Sequence, residues 1–300
     1  MHIPDEMLSG VVCPVGALVA VAGLACAVRA ASRAGERPSA LRFAAVAALV
    51  FAGQMVNFPV LSGTSGHLLG GVLASSLLGM PFGVLAVALV VTLQALVFAD
   101  GGLLALGANV FNMALMGAGL GGLLQNWLWT SGVNRLVSIA LASGMAVLLS
   151  ASACSFELAA SGTVPAGKVL PAMLGAHALI GLSEAAITVA MVCLLDCGRL
   201  TRGRWNAAIP LLGALLIVVG LSPFASSDPD GLESVAERFG FLQEGVPFFV
   251  APLANYEVAL IGQPVISGIV AGLAGVALTM LFGWGAVRLG RSRRMDPLQP

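Results

Sequence analysis

Apolar stretches recur along almost the whole chain, at about residues 10 to 31, 41 to 60, 67 to 80, 82 to 99, 103 to 126, 135 to 156, 168 to 197, 207 to 222 and 264 to 287, and nothing else restricts its fold as strongly. Several fall short of the roughly 20 residues that a spanning helix needs, the third above all, so tilting, re-entrance or burial among neighbouring helices is expected there. With 58% hydrophobic and 9% charged residues and a mean hydropathy of +0.98, the chain lies far from soluble globular proteins. The expectation is an all-α integral membrane protein with about nine transmembrane segments. Its 38 glycines suit helices whose backbones approach closely. Zero formal charge speaks against nucleic-acid binding. Cys13, Cys26, Cys154, Cys193 and Cys197 lie in or beside apolar stretches with no Cys-x-x-Cys pair, so they read as packing residues rather than a zinc or disulfide framework.

Orientation follows from arginine placement, because cytoplasmic loops carry the excess of Lys and Arg. Arg29, Arg33, Arg37 and Arg42 follow the first span, which puts that segment inside and the amino terminus outside. Carried through nine spans, this places Arg135, then Arg199, Arg202 and Arg204, then Arg288, Arg291, Arg293 and Arg294 inside as well, leaving Lys168 and Arg238 outside. Asp5, Glu6, Asp100, Glu157, Asp228, Asp230, Glu233, Glu237, Glu244 and Glu257 all fall on the outer side. A cleaved signal peptide is not expected, since Asp5 and Glu6 precede the first apolar run and Arg29 follows it. The basic stretch at 194 to 205 separates a seven-span block from a two-span block that brackets a polar outer loop, residues 223 to 262. In that loop Asp228, Pro229, Asp230 and Gly231 signal a turn, with a short amphipathic helix expected from Leu232.

The candidate chemistry begins at the first two residues. A free α-amine followed by His2 is a chelator for a square-planar divalent ion: the amine of Met1, the amide nitrogen of His2 and the imidazole Nδ1 close a five- and a six-membered ring. One corner stays open. Met1 is expected to be retained, because removal of an initiator Met requires a small second residue. Of the other two histidines, His67 in LSGTSGHLLGG is the leading candidate for the fourth ligand, and its glycine-rich setting suits a turn. Asn57, Thr64, Ser65, Asp100 and Asn109 are candidates to hold the His67 ring through its other nitrogen. An all-nitrogen tetragonal site favours Ni(II) or Cu(II), admits Co(II), and disfavours the oxygen-seeking Mg(II) and Ca(II).

Elsewhere, His177 and Glu184 share one helical face two turns apart, roughly 10 Å, so they do not touch directly. Each reads either as a functional intramembrane group or as a polar tie between helices. Gly16, Ala20, Gly23, Ala27 and Ala31 form a small-residue face on the first span, suited to internal packing or to a partner subunit. No phosphate loop, H-E-x-x-H pair or G-x-S-x-G elbow is present, so neither ATP hydrolysis nor intramembrane hydrolysis has visible machinery.

MHIPDEML at the start, FPVLSGTSGHLLGG around His67, FADGGLLALGANVFNM at 98 to 113 and AHALIGLSEAAIT at 176 to 188 resemble the CbiM/NikM family, the substrate-binding membrane (S) components of cobalt and nickel energy-coupling-factor (ECF) transporters. ASSDPDGLESVAERFGF and PLANYEV resemble the small PDGLE-type subunit, similar to NikN. The resemblance implies a seven-helix metal-binding domain over 1–203 fused to a PDGLE/NikN-like module over 204–300 with two transmembrane helices. It implies a planar site made by Met1, His2 and His67, transported Ni(II) or Co(II) as ligand with no cofactor, and nickel preferred because PDGLE modules more often accompany nickel systems. Also implied are a multi-pass place in a prokaryotic cell membrane, a coupling transmembrane subunit and two cytoplasmic ATPases as partners, and no enzymatic activity of the chain itself. Glu6 stands where the family usually has glycine. Two rival functions are a secondary transporter with His177 and Glu184 as its relay, and an intramembrane metalloenzyme, which would need a metal-bound water and a nearby base.

Overall fold

The computed structural model of the chain describes residues 2–61, 63–195, 205–242 and 249–292. Met1, the arginines at 199, 202, 204, 293 and 294, Glu244, Cys197 and the boundary at 203/204 lie outside the described residues. The architecture is all-α and multi-pass, with seven helices long and apolar enough to cross a membrane among those residues. They are α1 (Val12–Arg33), α4 (Met80–Phe98), α5 (Leu106–Thr130), α6 (Arg135–Ala160), α7 (Ala166–Leu195), α8 (Asn206–Phe224) and α10 (Pro264–Ser292). Two shorter helices, α2 (Ala40–Gln54) and α3 (Gly71–Leu78), pass through the interior, and α9 (Gly231–Phe239) lies in the loop before α10.

The second and third apolar stretches form shorter helices than their composition suggests. The helix of α2 ends at Gln54, and the chain then makes an antiparallel hairpin, β1 (Phe58–Leu61) against β2 (Thr64–Gly66), pairing Phe58 with Gly66 and Pro59 with Ser65. Pro59 has no N–H to continue a helix, and Gly63 turns at φ +72°. At 15 residues, α2 is too short to face lipid end to end. It is instead the central post: every residue from Phe43 to Gln54 is buried. Glycines of α10 permit this enclosure, because a Cβ at Gly275 would strike the Phe51 ring and one at Gly283 would lie 3.2 Å from Ala44 Cα.

The small-residue face of α1 packs internally. Ala20, Ala27 and Ala31 are buried, a Cβ at Gly16 would lie 3.1 Å from the Ala108 amide, and one at Gly23 would overlap Leu115, so the face rests on α5. Its opposite face, with Val15, Leu18 and Val21, is exposed as a lipid-facing surface would be. Cys13, Cys26, Cys154 and Cys193 are free thiols. A second apolar cluster lies under the amino-terminal segment, where Ile3, Met7 and Leu8 meet Leu158 and Met173 of α6 and α7 and Leu232 of α9. Burial of three such side chains contributes about 1.5–3 kcal/mol each. The segment from Ile3 to Leu8 is therefore part of the core.

Candidate metal site

The segment that carries His2 is fixed by the run Asp100–Gly101–Gly102 and by α5. Asn109 grips Ile3 on both sides of its Cα: Oδ1 accepts from Ile3 N–H at 2.8 Å, and Nδ2 donates to Ile3 C=O at 2.9 Å. Gly102 N–H donates to the same carbonyl, and Asp5 Oδ1 accepts from the amides of Leu104 and Ala105 at 2.7 and 3.1 Å. Glycine is required at 102 because a Cβ there would overlap the Asp5 carboxylate and amide. At Gly101 the φ of +91° and a projected Cβ 2.9 Å from Asn109 Nδ2 impose the same choice. Glu6 lies in the 3-10 turn Asp5–Met7 and is not among the residues of positive φ, so this backbone accepts a carboxylate in place of glycine.

His67 arrives from the other side, just beyond β2. The carboxylate of Glu184 on α7 accepts from Leu69 N–H at 2.7 Å and Gly70 N–H at 2.9 Å, and so anchors the turn that leads from His67 into α3. The two rings face one another with centroids 5.3 Å apart and planes inclined by 32°. His67 Nδ1 lies 3.0 Å from the Leu68 carbonyl, so a neutral ring that donates there turns the lone pair of Nε2 outward. Both ring nitrogens of His2 are buried and without a hydrogen-bond partner. A native interior seldom leaves such atoms unpaired, and two imidazole lone-pair donors this close together fit a cation that prefers nitrogen. Among the described residues no group of three or more His, Cys, Asp or Glu is gathered as a metal-ligand set.

Burial keeps both imidazoles neutral, lowering each pKa from 6.5 to about 3, with positive charge nearby acting in the same direction. The carboxylates around them differ. Burial pushes the Asp100 carboxyl above its usual range, and burial likewise pushes the Tyr256 hydroxyl, which donates to Asp100 Oδ2 at 2.6 Å, well above its own. Burial acts to raise Asp230 too, but positive charge and N–H groups around it prevail and hold it below the ordinary carboxylate range. Asp230 Oδ2 lies 4.0 Å from His67 Nε2, and Asp100 Oδ1 lies 3.8 Å from His2 Nε2. These groups open on a cavity of about 270 Å³ lined by His2, Gln54, His67, Asp100, Asp230 and Tyr256, among others.

Of the five polar residues named from sequence as partners of the His67 ring, four have side chains bonded to other groups. Asn109 and Asp100 serve the amino-terminal side. Thr64 Oγ1 meets Ser234 Oγ at 3.0 Å, Ser65 donates from Oγ to the Asp228 carbonyl and from N–H to the Pro229 carbonyl, and the Asn57 carbonyl accepts from Ser226 N–H. The hairpin that precedes His67 thus docks the carboxyl-terminal loop at 226–234. Asp230 and Tyr256 were not legible as neighbours of the histidines. The one available signal was Asp-x-x-Glu at 230–233, which is a capping box here: Asp230 Oδ1 accepts from Leu232 and Glu233 N–H, and Glu233 accepts from Asp230 N–H. It starts α9 at Gly231, one residue before the expected start, and brings the Asp230 carboxylate to the His67 ring. His177, bonded through Nδ1 to the Met173 carbonyl at 2.8 Å, packs against this loop, where a Cβ at Gly231 would lie 2.8 Å from its Cε1.

Comparison with known proteins agrees in its coverage. The family described as cobalt uptake substrate-specific transmembrane region (CbiM) matches residues 2–199, and the PDGLE domain matches residues 204–292. A protein of Archaeoglobus fulgidus named "Putative fused nickel transport protein NikMN" is 34% identical over 304 residues, spanning 97% of this chain and 100% of its own length. A crystal structure of a transition metal transporter superposes with a TM-score of 0.60 at 28% identity, covering 70% of this chain and 97% of its own. A truncated transition metal transporter gives a TM-score of 0.57 at 31% identity, covering 65% and 98%.

Proposed function

Because the chain belongs to the CbiM family of substrate-specific membrane regions and carries a PDGLE domain, we propose that it captures Ni(II) or Co(II) for an ATP-driven ECF-type uptake transporter through the Met1 amine, the His2 amide and Nδ1, and His67 Nε2. Membership already fixes the coarser facts: this is a metal-transport component of a prokaryotic membrane, not an enzyme. The observation that carries the finer reading is the pair of buried, unpartnered ring nitrogens of His2 beside the His67 ring. Neutral imidazoles offer lone pairs without first losing protons, and the terminal amine is one peptide unit from His2. A divalent ion bound with one deprotonated amide keeps a single positive charge, for which Asp230 beside His67 is the counter-charge. Nitrogen ligation then discriminates against Mg(II) and Ca(II).

Nine passes, counted with the two short inner helices α2 and α3, put the amino terminus outside in this reading. Arg29, Arg33, Arg37, Arg42, Arg135 and Arg288 then share the end of the molecule away from the histidines, as the positive-inside rule asks. The two-module division, 1–203 and 204–300, follows the same proposal, as do the partners: a coupling transmembrane subunit and two ATPases. The secondary-transport alternative assigns proton relay to His177 and Glu184, yet both are bonded to main chain, which suits anchoring. Metal analysis of the purified chain with an unmodified amino terminus tests the site. One equivalent of nickel is expected, lost in His2→Ala and in His67→Ala; wild-type binding in both variants refutes it. Cellular nickel uptake that persists without the ATPases would instead favour the secondary transporter.

A further inference from the structure

The lone tyrosine of the chain ties the carboxyl-terminal segment to His2. Tyr256, on the segment between α9 and α10, donates its hydroxyl hydrogen to Asp100 Oδ2 at 2.6 Å and accepts from Gln94 Nε2 at 3.1 Å. Its ring is stacked on Phe98, centroids 4.7 Å apart and planes within 23°, with Phe51 behind it. Asn255 and Tyr256 both have left-handed backbones, φ 55° and 58°, and so does Ala99, φ 54°, the residue before Asp100. Side chains other than glycine rarely adopt this conformation, and when they do the surroundings hold them there. Here the hold includes a main-chain bond from Leu253 N–H to the Val97 carbonyl at 2.9 Å, which fastens the Tyr256 turn to the end of α4. Tyr256 itself, and the residue just before Asp100, thus sit on backbone kept in an unfavourable conformation.

The remaining oxygen of Asp100, Oδ1, faces His2 Nε2 at 3.8 Å, and that nitrogen is buried without a partner. When His2 Nδ1 is given to a cation, the ring proton must reside on Nε2 and needs an acceptor. A shift of under about 1 Å makes Asp100 Oδ1 that acceptor. We propose that Tyr256 is a positioning residue of the metal site: by holding one oxygen of Asp100 it aims the other at His2 Nε2–H, fixing the tautomer that presents Nδ1 to the ion. The PDGLE-containing segment thereby completes the site carried by the rest of the chain. This rests on the reading of His2 and His67 as ligands.

The test measures Ni(II) affinity and the visible d–d spectrum of the full chain with a free amino terminus, together with its thermal midpoint. Tyr256→Phe keeps the ring and removes the hydroxyl, and should weaken Ni(II) about tenfold, at the low end of what loss of such a supporting partner costs, with a shifted d–d band and a retained thermal midpoint. Asp100→Asn should weaken binding at least as much, and Tyr256→Phe combined with Asp100→Asn should be no worse than Asp100→Asn alone, since the hydroxyl acts through that carboxylate. Gln94→Met, which loosens the hydroxyl from behind, should move affinity in the same direction by less, and serves if Tyr256→Phe does not fold. Wild-type affinity in both Tyr256→Phe and Gln94→Met, or additive losses in the double variant, overturns the proposal while His2→Ala still abolishes binding. Nickel retained by both His2→Ala and His67→Ala instead removes the site reading, and this inference with it.

Discussion

Truncating Asn109 to Ala isolates the docking of the amino terminus from the metal ligands themselves. Asn109 is 1% exposed and makes two bonds to Ile3, at 2.8 and 2.9 Å, while Ile3 itself is fully buried. After truncation the Ile3 carbonyl still accepts from Gly102 N–H, but Ile3 N–H is left without its partner. An orphaned buried N–H costs about 1–3 kcal/mol and the second, replaceable bond about 0.5–1.5 kcal/mol, so the docked terminus loses about 3 kcal/mol. Taken alone that is a factor of about 150 in the docked population, and metal affinity scales with the binding-competent fraction. Asp5, Gly102 and the buried Ile3 and Met7 side chains oppose release. The expected loss in Ni(II) affinity is therefore about 10- to 100-fold, read by competition against a chromophoric chelator. Asn112→Ala is the control: its side chain, one turn along α5, donates to Glu157 at 2.6 Å, so its loss should lower thermal stability and spare nickel affinity. Affinity within twofold of wild type in Asn109→Ala, or an equal loss in Asn112→Ala, would refute the reasoning.

Glu184→Gln replaces one of two anionic acceptors of the Leu69 and Gly70 amides with a donor, so the thermal midpoint and nickel affinity should fall together, while uptake stays dependent on the ATPases. Gly231→Ala places a methyl 2.8 Å from His177 Cε1 and should push the 226–234 loop off the hairpin, detected as faster proteolysis within that loop; unchanged protection would contradict the close approach. The pH dependence of the metal-free protein has a defined sign. His2 and His67 are held near 3 when folded against 6.5 when unfolded, so the unfolded chain takes up protons first as pH falls. Their contribution is complete above about pH 6.5 and is lost between 6.5 and 3. Asp100, shifted upward, works in the opposite sense at the acid end. The thermal midpoint should drop from pH 7 to pH 4 in the wild type and drop less in His2→Phe/His67→Phe.

Much of this molecule was written in local patterns. Apolar run length marks the membrane-length helices α1, α4 to α8 and α10, and Asp-x-x-Glu marks the start of α9, because helix length and capping depend on residues near one another in the chain. The end of α2 at Gln54 was harder to read. Residues 55 to 60 are nearly as apolar as the helix before them, and only pairing with Thr64–Gly66 makes them a hairpin. Polarity near His67 singled out Asn57, Thr64, Ser65, Asp100 and Asn109, but polarity does not say which group a side chain will meet. Thr64 and Ser65 meet a loop that begins some 160 residues later. Asp230 and Tyr256 were invisible for the same reason: contact across that separation is decided by how α8 and α10 wrap α2, and no local spacing encodes it.

The ligand set is tested most directly by nickel K-edge X-ray absorption on the loaded chain with its native amino terminus. The expected spectrum has the pre-edge signature of a square-planar ion and multiple scattering from two imidazole rings, with one ring's contribution lost in His67→Ala. A six-coordinate, oxygen-rich nickel, or a spectrum unchanged by His67→Ala, would contradict a cation held between the start of the chain and the turn at residue 67.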